Sequence, residues 1–109
     1  MEIQSVPMEP IWHATPAGIP AEPGPEGFVH ASFRSQLAET LKLHYAQYGG
    51  VVLLRLDPEA LGKRLVCERS RGGQLFPHIY GKVLAGDIAE SLPVQRGGDG
   101  AFDLSAVPG

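Results

Sequence analysis

Cysteine, aromatic residues and long apolar runs are scarce in this sequence. Cys67 is the one cysteine among 109 residues, so neither an internal disulfide nor a cysteine-based metal site is available. No apolar run approaches the roughly 18 residues of a membrane span. Met1 is not followed by a basic and then apolar leader, so the expected location is the cytoplasm. Residues 1–33 hold four glutamates and neither lysine nor arginine. With a formal net charge of −3, the chain is expected neither on duplex DNA nor at a membrane.

Glycine and proline are abundant instead, 14 and 10 residues, which argues against a long helical bundle. Leucine, isoleucine, valine and phenylalanine remain frequent enough to argue against disorder. Six of the ten prolines lie in residues 7–25, and four of the glycines in residues 97–109. This divides the chain into a single α+β domain over 1–94, with a lead-in at 1–9 and a Pro-rich loop at 16–27, and a Gly-rich tail at 95–109 that is expected to pack poorly. The Pro-rich loop is a candidate lid. Lys63 to Arg71 concentrates four basic groups against one acid, a segment that suits a small anionic ligand.

Local patterns place the elements. Pro10–Thr15 (PIWHAT) and Phe28–Ser32 (FVHAS) read as short strands rich in aromatic and β-branched residues. Phe33, Leu37, Leu41, Tyr45 and Tyr48 recur every three or four residues, which predicts a helix from a Ser32 cap to the Gly49-Gly50 stop. Val51–Leu56 reads as a buried strand. Asp57-Pro58 predicts a one-turn helix over 58–61 ending at Gly62. Arg64–Arg69 alternates as a half-buried strand does, and Gly72-Gly73 reads as a hairpin turn. Leu75–Gly81, interrupted by Pro77, suggests an edge strand or loop, and Ile88–Val94 a last strand. The sum is a small split or mixed β-sheet of five to six strands with one main helix.

Three of the four histidines stand two residues before a hydroxyl: His13 before Thr15, His30 before Ser32, His78 before Tyr80. On a strand, positions i and i+2 share a face. If the strands are neighbours, the three pairs line one cleft suited to acid–base work or to a phosphorylated, polyhydroxylated ligand. Trp12 and Phe28 then belong to the opposite, core-packing face, and Phe76 is core or a stacking partner. His44 reads as structural. Glu68 joins the cleft if it faces the histidines, and Cys67 then points into the core. The intervals between the histidines do not match a metal-ligand motif, so no metal is expected. Paired His-x-Thr/Ser motifs also resemble those of two-histidine phosphoesterases, but 17 residues join adjacent strands rather than two lobes.

The blocks HAT (13–15), GFVHAS (27–32), VLLRLD (52–57) and LFPHIYG (75–81), in this order, resemble the signature of a small bacterial family, the domains of unknown function numbered nine-five-two. The resemblance covers about residues 10–94. It implies a fold like that of ADP-ribosyltransferases and RNA 2′-phosphotransferases, with NAD bound in the cleft of a split sheet. The implied site would use His13, His30, His78 and Glu68 in chemistry. Thr15 would hold ribose or carboxamide, Ser32 would sit beside His30, and Phe76 or Tyr80 would stack on a ring. Arg69 or Arg71 would meet phosphate. The sequence departs from the family pattern at Ala31, where cysteine is common. The implied activity is transferase or glycohydrolase; a non-catalytic binding module of the same fold and a phosphoesterase are the alternatives.

Overall fold

A computed structural model describes residues 9–108. Of the lead-in 1–9, residues 1–8 lie outside this range. Glu9 is described, and its carboxylate accepts from both the backbone N–H and the hydroxyl of Ser35. The strands are β1 (Ile11–Thr15), β2 (Phe28–His30), β3 (Ser32–Phe33), β4 (Gly50–Leu56), β5 (Leu65–Arg69), β6 (Leu75–Tyr80) and β7 (Ile88–Gln95); the helices are α1 (Leu37–His44) and α2 (Pro58–Leu61). The fold is α+β, with seven strands in two small sheets rather than five or six in one. Every pairing is antiparallel rather than mixed. One sheet has the order β3-β1-β4-β7, the other β2-β6-β5.

The first sheet is covered on both faces, which explains why Ile11–Thr15 is buried throughout instead of alternating. Trp12 and Ala14 face α1, in a core with Leu37, Leu41 and Leu53. Ile11 belongs to a second core, with Leu54 and Leu56, against Val29 and Ile79 of the second sheet. Successive side chains of a strand point to opposite faces. His13 and Thr15 therefore lie on the Ile11 side of β1, away from α1.

Four expectations need correction. Phe28–Ser32 is not one strand. The chain leaves the second sheet after His30, and Ser32 already pairs with Trp12 in the first. The helix is shorter than 33–48: Ser32 sits in β3 rather than capping, residues 34–36 form a 3-10 turn, and the α-helix ends at His44. Arg96 donates to the carbonyls of Tyr45, Ala46 and Tyr48, so a guanidinium meets the C-cap carbonyl and holds the turn that follows it. Leu75–Tyr80 is no edge or loop but the centre of its sheet. Pro77 is tolerated because its carbonyl, which accepts from Ala31 N–H at 3.2 Å, faces the β2 side just where β2 has ended. The tail is not poorly packed. Val107 is buried beside Phe102 and Leu104. Arg34 donates to the carbonyls of Leu104 and Val107.

The one-turn helix follows its sequence signals closely. Asp57 caps it, accepting from Glu59 N–H at 3.0 Å, and Pro58 opens it. Arg64 and Asp87 then form a two-pronged ion pair, both contacts 2.8 Å, that ties the start of β5 to the start of β7.

Candidate functional site

Beside α1, between the two sheets, lies a cavity of about 540 Å³, within the usual size of small-molecule sites. It is lined by Trp12 and Ala14 of β1, Ser32 of β3 and Leu37, Thr40 and His44 of α1. His30, Phe76 and His78 line it from the second sheet. Among the described residues its lining holds neither lysine, arginine, aspartate nor glutamate. Two lining residues each carry a buried ring nitrogen without a hydrogen-bond partner, Trp12 Nε1 and His78 Nε2. An unmet buried polar group costs about 1–3 kcal/mol, so each of the two is a candidate for a further polar contact.

The second sheet orients His78. Its Nδ1 lies 2.7 Å from Glu68 Oε1, and Tyr80 donates its hydroxyl to the same oxygen, also at 2.7 Å. These two donors hold the Glu68 carboxyl below its ordinary range, and Glu68 in turn pushes the Tyr80 phenol up. An ionised carboxylate only accepts, so Nδ1 carries a proton, and a ring without a second proton has Nε2 as its acceptor. Phe28 stacks on the His78 ring, 3.9 Å between centroids and 13° from parallel, fixing its plane; two residues before His30, it shares the histidine face rather than the opposite, core-packing face expected of it. His30 lies opposite His78 in the ladder, with ring centroids 5.6 Å apart, and bonds exposed Glu26 at 3.0 Å.

His13 is occupied differently. Nδ1 donates to the His30 carbonyl at 2.8 Å, and Nε2 accepts from Ala21 N–H at 3.1 Å. Thr15 donates to the Ile19 carbonyl at 2.6 Å. These side chains bind the Pro-rich loop to β1 and pin the point where the chain changes sheets. Burial lowers the His13 pKa, in keeping with a neutral ring that has an acceptor nitrogen.

The comparisons with known proteins agree with this layout. The family model described as "Protein of unknown function (DUF952)" matches residues 11–91. The chain belongs to this family. The DUF952 domain is also similar to CC0527 from Caulobacter crescentus. Against its crystal structure the identity is 28%, covering 89% of this chain and 96% of that one, with a TM-score of 0.76. Against its solution structure the identity is again 28%, covering 91% and 96%, with a TM-score of 0.73. No curated protein matches the chain.

Within the DUF952 domain, His30, His78, Ser32 and Phe76 all line the cavity. Glu68 and Tyr80 support it from behind His78. His13 and Thr15 do not line it, nor does any residue of the loop 16–27 that was a candidate lid. Ser32 shares a hydrogen bond with Thr40 at 2.8 Å. Arg69 donates to the Gly73 carbonyl at 2.6 Å, within the hairpin turn. Arg71 opens that turn, and its side chain lies outside what is described. Cys67 is half-buried, and its burial pushes the thiol pKa up. Among the described residues no three metal-ligating side chains come together, and no helix is long and apolar enough to cross a membrane.

The sequence reading missed Trp12, Thr40, His44 and Tyr45, all on the cavity wall. One signal was present. Leu37, Thr40 and His44 are spaced three and four apart, a single helix face beside the apolar stripe.

Proposed function

We propose that the DUF952 domain binds a small ring-bearing ligand of the NAD or ADP-ribose class in this cavity, with His78 as its proton acceptor. The observation that carries the reading is His78, a residue of the cavity lining whose Nε2 is buried without a partner and whose other ring nitrogen Glu68 holds. This is how a carboxylate fixes the tautomer and plane of a general base. The two-sheet arrangement suits the ADP-ribosyltransferase-like fold implied by the family resemblance.

The residues fit the nicotinamide–ribose end of such a ligand better than its phosphates. Phe76 and Trp12 offer ring surfaces, Ser32 and Thr40 offer hydroxyls, and among the described residues the lining holds no cation for a pyrophosphate. When bound, NAD would supply a glycosidic bond whose cleavage releases nicotinamide. His78 Nε2 would take a proton from a ribose hydroxyl or a water, and Glu68 would stabilise the resulting imidazolium. Glu68 does not line the cavity. It therefore acts through His78 rather than on developing charge at the sugar, which favours binding with proton transfer over direct carboxylate stabilisation.

The same geometry speaks against the paired His-x-Thr/Ser reading, because both nitrogens of His13 are bonded to backbone. Calorimetry with NAD and with ADP-ribose tests the proposal. Saturable binding by the wild-type protein that weakens at least tenfold in His78→Gln is expected. No heat at millimolar ligand would refute it.

A further inference from the structure

The proposed site uses one side of α1, where Leu37, Thr40 and His44 line its cavity. A second cavity, of about 640 Å³, lies on another side of the helix, against residues 96–102. We infer that this second cavity binds a small organic anion, a single carboxylate on an apolar body. The inference does not depend on the proposed function.

Residues 96–102 form a small hairpin. Arg96 and Phe102 pair in a β-bridge, and Gly97 N–H donates to the Ala101 carbonyl at 2.7 Å. The hairpin lies beyond residue 91, where the family match ends, so the family resemblance does not imply this site. Much of the lining is apolar: Ala38, Leu43 and Ala46 on the helix side, Ala101 and Phe102 on the hairpin. Leu43 is 51% exposed, and an apolar body that covers it takes that surface out of water.

Charge decides the rest. Lys42 and Arg96 line the cavity against one carboxylate, Glu39, so the lining is positive by one. Arg96 donates to the carbonyls of Tyr45, Ala46, Tyr48 and Gly100 and lies 4.3 Å from the centre of the Phe102 ring. Its charge is therefore fixed at the cavity, and it opposes the negative end of α1, which otherwise disfavours an anion. Lys42 is exposed and forms no ion pair or hydrogen bond among the described residues. Its ammonium can meet a carboxylate without giving up a partner. A cationic ligand would face both groups with like charge.

Naphthoate and naphthamide, nearly equal in shape, separate charge from apolar contact. Millimolar naphthoate is expected to shift the backbone amide resonances of Gly100, Ala101 and Phe102 with saturation, and naphthamide to bind more weakly. Lys42→Gln should weaken naphthoate about threefold and leave naphthamide unchanged; Lys42→Glu should weaken naphthoate further. Leu43→Ala should weaken both probes alike. Lys42 and Leu43 are both exposed, so these variants keep the fold. Naphthamide binding as tightly as naphthoate would overturn the inference. So would resonances of Gly100, Ala101 and Phe102 that do not move with naphthoate. If a chain lacking residues 1–8 bound naphthoate and the full chain did not, the cavity would belong to that segment and the inference would again be overturned. Heat from NAD is a separate readout, so each of these failures leaves the proposed function standing.

Discussion

His13 and His78 stand in the same short motif, a histidine two residues before a hydroxyl on a strand, and both are almost fully buried. Their surroundings separate them. His13 and Thr15 donate to backbone carbonyls, and His13 also accepts a backbone N–H; together they hold a proline-rich loop to β1. His78 and Tyr80 both bond one carboxylate oxygen, which leaves one imidazole nitrogen of a cavity-lining residue without a partner. A histidine with both nitrogens bonded to backbone is a strut. A histidine held on one side by a carboxylate keeps its other nitrogen unbonded, as the proposed function requires. The motif does not decide which; the partner brought in by the fold does.

The largest expected difference is in stability. His13→Ala leaves the His30 carbonyl and the Ala21 N–H unmet and should cost about 2–4 kcal/mol. His78→Gln, which can still donate to Glu68, should cost under ~1 kcal/mol. Urea unfolding of both variants measures this, and equal losses would erase the distinction.

The next difference is in pH. His13 has a folded pKa below its ordinary 6.5, so the neutral ring is the native form. Its contribution is complete above 6.5 and is lost as pH falls from there through the lowered folded value, at up to ~1.4 kcal/mol per pH unit. Glu68, also lowered in the folded state, contributes above its ordinary 4.5 and loses that contribution as pH falls further, through its own folded value. The strut therefore weakens in mild acid before the dyad does. His13→Gln, whose amide oxygen can still accept, should flatten the first fall and leave the second. Unfolding midpoints measured between neutral and acid pH would show it.

Smaller effects complete the contrast. Thr15→Val removes the bond to Ile19 and should cost about 1 kcal/mol, with faster proteolysis within residues 16–27. Tyr80→Phe removes one of two donors from a half-exposed carboxylate. It should leave stability nearly unchanged, while the Glu68 carboxyl resonance titrates at higher pH than in the wild type.

Much of the architecture was legible because it is local. Asp57-Pro58 and Gly62 bound a helix by capping chemistry alone, and Gly72 and Gly73 both take the positive φ that their hairpin turn requires. The illegible parts are those that distant residues decide. Arg96, some fifty residues on, holds the turn that follows α1, and Ala31 divides one apparent strand between two sheets. Pro77 sits in a central strand only because its neighbour stops beside it. The site follows the same rule. Glu68 and His78 meet because Glu68 pairs with Phe76 in register, placing it diagonally across from His78. Trp12 was assigned to the core because it alternates with His13. That alternation is real, but the cavity lies on the Trp12 face.

The central claim is that Trp12 and His78, and not His13, meet the ligand. A long-range proton–nitrogen spectrum of the histidine rings tests it most directly. Without ligand, His13 and His78 should both show the tautomer protonated at Nδ1. On adding NAD, the His78 Nε2 and Trp12 indole signals should move while both His13 nitrogens stay fixed. Movement of the His13 Nε2 signal with His78 unchanged would contradict the account.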